Sequence, residues 1–304
     1  MFGVHPSHAF TSVETSPEYA DRPRLNVLKK AGVSRVSIGI QSFQDEELKA
    51  IKRRPRQNTI YQALDDIRQM DFPYFNIDLI YGIKGQTVES FLYSLEEALR
   101  FQPNELFIYP LYVRQGTGIT EREPDDVCFR MYRAACKLLQ AKGFLQTSMR
   151  RFIHHPSTDA EVSCGDEVML SCGSGGRSYL GDLHYATRYT VCQQCIAREI
   201  DEYMATTDFT VARNGFILSA KEQQQRFIIK NLMYYMGIDK AEYTRRFGEP
   251  LDRTPLFRQL AEQYWIEETP ERIRLTPEGL GYSDYIGQLF ITPEIRQLME
   301  TYSY

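Results

Sequence analysis

No run of apolar residues in the sequence approaches the roughly 20 that cross a bilayer, so membrane spans drop out of consideration. Met1 to Phe10 show no basic stretch followed by an apolar one, and a cytoplasmic location is expected. An excess of one charge is missing too. Thirty-six Lys and Arg face 40 Asp and Glu, a net charge of -4, so no global basic field points to nucleic acid or anionic lipid. Cysteine is scarce: Cys128, Cys136, Cys164, Cys172, Cys192 and Cys195 are too few for a disulfide framework in 304 residues, and reduced thiols are expected. The five histidines show no HExxH spacing, and Gly82-Ile83-Lys84-Gly85-Gln86-Thr87 lacks the GxxxxGK[ST] order of a phosphate loop. That segment reads instead as a strand-to-helix turn with Thr87 as N-cap.

What is present is alternation. Short strands are expected around Ser12–Glu14, Arg35–Gln41, Phe75–Ile80 and Leu106–Leu111. Between them lie amphipathic helices with stripes Ile60, Leu64, Ile67, Met70 and Val88, Leu92, Leu95, Leu99. A further helix carries Val127, Met131, Ala135 and Leu138, and Gly143 leads into another strand. This βαβα order predicts an α/β fold with a parallel sheet or barrel and helices outside. A strand buried on both faces reads as continuously apolar, and these do not. Val36, Ile38 and Ile40 oppose Ser37, Gly39 and Gln41; Phe75, Ile77 and Leu79 oppose Asn76 and Asp78; Val13 opposes Ser12 and Glu14. One face of the sheet therefore carries glycine, serine, amides and carboxylates, as a ligand-lined barrel mouth does.

From about Asp201 the character changes. Lys221–Met236 predicts a helix stopped by Gly237, with further helices at Lys240–Phe247 and Pro255–Gln263. Trp265–Glu267 and Arg272–Leu275 read as a hairpin across Thr269-Pro270. Thr276-Pro277 and Thr292-Pro293 each read as an N-cap with proline at the first helical position. Helices followed by a small hairpin predict a winged-helix-like module.

Three segments carry a resemblance. They are Val13-Glu14-Thr15-Ser16-Pro17, the stretch Gly32 to Phe43 with its core Ser37-Ile38-Gly39-Ile40-Gln41-Ser42, and Asn76-Ile77-Asp78-Leu79-Ile80-Tyr81-Gly82 with Gly85-Gln86-Thr87. In order and spacing they resemble the oxygen-independent coproporphyrinogen III oxidase-like (HemN/HemW-like) radical S-adenosylmethionine (SAM) family. The likeness continues through Gly173-Ser174-Gly175-Gly176-Arg177-Ser178 into the C-terminal module. Lys84 stands where the family usually has proline.

The resemblance implies a truncated parallel (β/α) barrel over residues 1–200 and a HemN-like helical, winged-helix-like module over 201–304. It implies SAM bound at the carboxyl ends of the strands, with Glu14, Gln41, Arg53, Asp78 and Arg177 as the matching SAM-binding positions. Carboxylates accept from the ribose diol or the ammonium, an amide does either, and a guanidinium such as Arg53 grips a carboxylate bidentately. Family members hold a [4Fe–4S] cluster on a CxxxCxxC loop, and the cluster leaves one iron open for SAM, whose reductive cleavage gives an adenosyl radical. This sequence contains no CxxxCxxC. The first two βα units, with that loop, are expected upstream of Met1, and the chain by itself is expected to be inactive. No metal site is expected in it: Cys192-x-x-Cys195 with Cys164 and Cys172 lacks zinc-ribbon spacing, and Cys192 and Cys195 read as the opening of a helix towards Ile200 and Tyr203.

The implied activity is hydrogen abstraction by the adenosyl radical, as in oxidation of coproporphyrinogen III. The implied partners are a small-molecule substrate, a tetrapyrrole among the options, and an electron donor. Alternatives are a heme-binding, chaperone-like relative with His184 or a cysteine as axial ligand, a SAM-dependent methyltransferase relative, and a non-catalytic fragment.

Overall fold

The computed structural model describes residues 9–54, 56–114, 116–154, 168–188, 190, 192–211, 214–251 and 254–301. The chain forms two compact units, Met1–Val113 with Ile119–Pro156, and Arg114–Gly118 with Ser157–Tyr304. Among the described residues no helix is long and apolar enough to cross a membrane.

The first unit runs β1 (Ser12–Thr15), α1 (Arg22–Lys30), β2 (Arg35–Gln41), α2 (Asp45–Ala50), α3 (Gln57–Met70), β3 (Tyr74–Tyr81), α4 (Val88–Leu99), β4 (Glu105–Pro110), α5 (Asp125–Ala141), β5 (Leu145–Gln146) and β6 (Arg151–Ile153). Strands β1 to β4 pair in parallel in chain order, as the βαβα reading expects. The sheet is not parallel throughout. β6 runs antiparallel to both β4 and β5, giving the order β1-β2-β3-β4-β6-β5. The connection Thr147 to Arg150 is too short for a crossover, so β5 and β6 form a hairpin.

The helices bury the expected stripes with a shift. In α3, Ile60, Leu64 and Ile67 are buried as read. In α4 the buried residues are Phe91, Ser94, Leu95 and Ala98, while Val88, Leu92 and Leu99 are only partly covered. The larger Phe91 side chain takes the centre of the contact and packs on Tyr81 with ring centroids 5.7 Å apart, because an aromatic ring buries more area than Val or Leu. Thr87 caps this helix as expected: its hydroxyl accepts from Ser90 N (3.1 Å), and Ser90 Oγ accepts in turn from Thr87 N (3.0 Å).

The second unit holds β7 (Val168–Met169), β8 (Arg177–Leu180), β9 (Leu183–Ala186), α6 (Gln193–Ala205) and β10 (Gly215–Ile217). Its four strands pair antiparallel in the order β10-β9-β8-β7. Cys192 is the N-cap of α6, so that cysteine pair opens a helix. Then come α7 (Ala220–Leu232), β11 (Ile238–Asp239), α8 (Lys240–Phe247), α9 (Pro255–Glu262), β12 (Ile266–Glu268), β13 (Arg272–Leu275), α10 (Pro277–Gly281), α11 (Ser283–Leu289) and α12 (Pro293–Thr301). The hairpin β12–β13 forms as read and gains β11 as a third strand on β13. Gly237 (φ 70°) permits that pairing, since a Cβ there would stand 2.3 Å from Ile273 O. Phe227, Leu232, Ile238, Tyr243, Leu260, Ile273 and Ile286 form its core.

Candidate functional site

Register places the polar residues of the six-stranded sheet in rows. Glu14, Ser37, Asn76 and Glu105 pair across β1 to β4, and two residues further along come Gly39, Asp78, Phe107 and, on β6, Arg151. Residues two apart on a strand share a face. Ile38, Ile77 and Leu106 lie between the two rows, point the other way and are fully buried. Helix side chains pack against that second face.

The polar face is tightly bonded. The Asn76 amide donates to Ser37 Oγ (2.7 Å) and Asp78 Oδ1 (2.7 Å), and Ser37 Oγ donates to Asp78 Oδ2 (3.4 Å). Both Asn76 donors are thereby used, while its carbonyl, Oδ1, is buried with no protein partner. Towards the amino ends of the strands, Glu105 accepts from Arg35 Nε (2.8 Å) and from Arg151, and Arg35 also donates to Ser12 Oγ (3.0 Å). Glu105 is almost fully buried, and the two guanidiniums compensate its charge.

Burial pushes the Asp78 carboxyl up to about 6, and the nearby Glu14 carboxylate adds to the rise, while Asn76, Arg35 and Ser37 oppose it. Tyr109, on β4, is pushed up by burial and by the charges of Asp78 and Glu14. Asp78 is thus poised between acid and carboxylate near neutrality, able to accept from a ligand hydroxyl or ammonium.

The carboxyl ends of β2 and β3 are pinned by a second network. Ser42 Oγ (2.6 Å), Gln86 Nε2 (2.9 Å) and Ser90 Oγ all donate to the buried Glu47, and Ser94 Oγ accepts from Phe43 N (3.1 Å). Gln41, just ahead of this network, is buried and holds a left-handed backbone (φ 73°) at a register shift between Gly39 and Gln41, where Gln41 pairs with Leu79.

Of the five residues marked in the sequence, the structure brings Glu14, Gln41 and Asp78 onto neighbouring strands of one sheet. Arg53 is exposed beyond α2, where its charge, with that of Arg56, reaches Glu18 in the loop after β1. Arg177 is exposed at the start of β8, in the second unit. Arg35, Asn76, Glu105, Tyr109 and Arg151 were not marked. The signal for Arg35, Glu105 and Tyr109 was their parity with Ser37, Asn76 and Asp78 along the strands.

In the second unit, His184 on β9 is buried between Tyr179 (ring centroids 4.5 Å) and Phe216 (5.7 Å), and its Nε2 has no partner. Burial first, then the Arg226 charge, depress it to about 4, against the pull of Asp182, so it is a neutral imidazole. Cys172, Cys192 and Cys195 are free thiols, and Cys164 lies outside the described residues.

Comparison with known proteins gives two family matches: the radical SAM superfamily over residues 5–98 and the HemN C-terminal domain over residues 218–281. The heme chaperone HemW of Bacillus subtilis is 26% identical over 91% of this chain and 76% of its own length. The oxygen-independent coproporphyrinogen III oxidase of Thermostichus vulcanus is 25% identical over 88% of this chain and 89% of its own. Among solved structures, coproporphyrinogen III oxidase (HemN) from Escherichia coli superposes with a TM-score of 0.74 at 21% identity, covering 94% of this chain and 70% of that one. The fold is shared to that extent.

Proposed function

We propose that the chain works as a radical SAM protein of the HemN/HemW-like kind, which both family matches and both relatives support, and that its polar sheet face binds SAM for chemistry on a tetrapyrrole-type small molecule. The observation that carries this reading is the convergence of Glu14, Gln41 and Asp78 on adjacent parallel strands, with the unpartnered Asn76 carbonyl beneath them. The donor set suits SAM: two carboxylates for hydroxyl or ammonium groups, an amide for either role, and a free acceptor. Arg53, exposed beyond α2, is assigned to the SAM carboxylate, and Arg177, which belongs to the second unit, is left out of this site. SAM, when bound, supplies the adenosyl group of the family's hydrogen abstraction.

A [4Fe–4S] cluster does not fit the residues of this chain. The sequence has no CxxxCxxC, and among the described residues no group of three His, Cys, Asp or Glu is placed to hold a metal ion. The chain alone is therefore proposed not to cleave SAM. Reductant-dependent 5′-deoxyadenosine from the purified chain, after anaerobic treatment with iron and sulfide, would contradict this.

The binding claim is tested by calorimetric titration of SAM near pH 8. Asp78→Asn removes a charge-assisted hydrogen bond worth about 1.5–3 kcal/mol and weakens SAM about ten- to hundredfold. Lys49→Ala, on the exposed side of α2, changes affinity less than about twofold. Equal affinity for wild type and Asp78→Asn defeats the assignment.

A second reading, heme carriage as named for the HemW relatives, draws support from His184. A buried, neutral imidazole with a free Nε2 between aromatic rings is a competent axial ligand. Added hemin should then give a Soret band that is lost in His184→Ala.

A further inference from the structure

Gly39 stands in the row of Asp78, with its missing side chain on the polar face. Its backbone does not call for glycine, since its φ lies outside the left-handed range. A Cβ at this position would meet one group only: Gln41 Nε2 at 2.5 Å, followed by Gln41 Cδ at 3.7 Å. The space beside Asp78 is thus filled by the amide of a residue two positions further along the same strand. Ordinary alternation would put Gln41 one full pleat beyond Gly39. The bulge at Ile40 and the left-handed backbone of Gln41 bring it back. That backbone is held from the far side, where Ser42 is tied to Glu47 (2.6 Å) and to Gln44 N (2.9 Å) and Phe43 N to Ser94 (3.1 Å).

We propose that Gly39 is a positioning residue for ligand binding: it is the seat that lays the Gln41 amide beside Asp78, so that amide and carboxylate present one combined donor–acceptor edge to a ligand carrying adjacent hydroxyls or an ammonium group. Glycine is kept here for the neighbour's side chain. The inference rests on the reading of the polar face as a SAM site, but the placement of the amide can be tested without ligand.

The first measurement is the side-chain amide resonance of Gln41 in the free protein, identified by its absence in Gln41→Ala. Gly39→Ala should shift it while leaving the Gln86 amide in place. The added methyl meets only the movable end of a side chain, so the thermal midpoint should hold or rise, alanine being the better strand residue. The second measurement is a double-mutant cycle read by SAM titration. Gly39→Ala and Gln41→Ala should each weaken SAM about tenfold, roughly the effect of one lost hydrogen bond. The double variant should be no weaker than Gln41→Ala alone. An unmoved Gln41 resonance in Gly39→Ala overturns the proposal whatever SAM does. So does a Gly39→Ala loss that persists undiminished in the Gln41→Ala background, because the methyl would then be obstructing the ligand directly. Failure of the SAM reading has a different signature: Asp78→Asn and Gln41→Ala both bind as wild type while the resonance still moves.

Discussion

Asp78 and His184 occupy comparable places in the two units, each on a strand in mid-sheet, yet their surroundings drive them in opposite directions. Asp78 shares its face with Asn76, Ser37, Arg35 and Glu14, and its carboxyl is raised because burial outweighs the hydrogen bonds made to the anion. His184 lies between Tyr179 and Phe216, and its imidazole is lowered because burial, with the Arg226 charge, outweighs the pull of Asp182 on the cation. The first is a polar network that holds a raised carboxyl and an unpartnered carbonyl, that of Asn76. The second is an apolar box whose one misfit is a nitrogen. Burial alone therefore does not mark a site; what matters is which protonation state the neighbours were built to satisfy.

The sharpest way to break this contrast is to remove the charge that holds the first network together. Glu105→Gln leaves the guanidiniums of Arg35 and Arg151 without their shared carboxylate. Loss of one partner from a buried ionic cluster costs about 3–5 kcal/mol. The unfolding transition of the first unit should move to lower urea, with that of the second unaffected.

Next in size is the pH response. Asp78 is raised from 3.8 to about 6, so between those values the folded state holds a proton that the unfolded chain has released. Stability from this group is full below pH 4 and is lost as pH rises through 6, by about 2–3 kcal/mol. Asp78→Asn should remove that fall and be more stable than wild type at pH 8. His184 has the reverse sign. Lowered from 6.5 to about 4, it stays neutral when folded while the unfolded chain takes up a proton. Its contribution is full above pH 6.5 and lost as pH falls through 4, on the order of 1 kcal/mol once solvent screening is allowed for. His184→Phe should flatten the acid limb and leave the neutral range unchanged. Urea titrations at pH 4, 6 and 8 compare the two.

The smallest effect is one in which the units should agree. α4 and α7 both begin with a capping box, Thr87 with Ser90 and Ser219 with Glu222. Thr87→Ala and Ser219→Ala should each cost about 1 kcal/mol in their own unit, read from the urea midpoint. A marked inequality would mean that one of the two helix starts is held by packing.

The same contrast explains what was legible in the sequence. The period-two pattern of Arg35–Gln41 delivered β2 at its observed bounds and both of its faces, since one-sided burial leaves alternation as its trace. Glu14, Gln41 and Asp78 fell on neighbouring strands because a parallel βαβ repeat fixes strand order. Arg35 and Glu105 passed unnoticed as a site because an ion pair between residues 70 apart in the chain leaves no local signal. The antiparallel sheet of β7 to β10 was missed for a related reason: strands of two to four residues are too short for alternation to stand out. The shift of the α4 stripe follows Phe91, whose ring packs on Tyr81 and turns Ser94 and Ala98 inward with it, a contact that periodicity does not weigh.

The left-handed backbone at Gln41 also bears on what a substitution at this position does. An L-residue in that conformation forgoes about 1–2 kcal/mol relative to glycine. Gln41→Gly would therefore be a gain for the fold and a loss for the binding face. If the polar face binds SAM as proposed, Gln41→Gly should raise the urea midpoint of the first unit while weakening SAM, so that stability and binding make opposite demands on one residue.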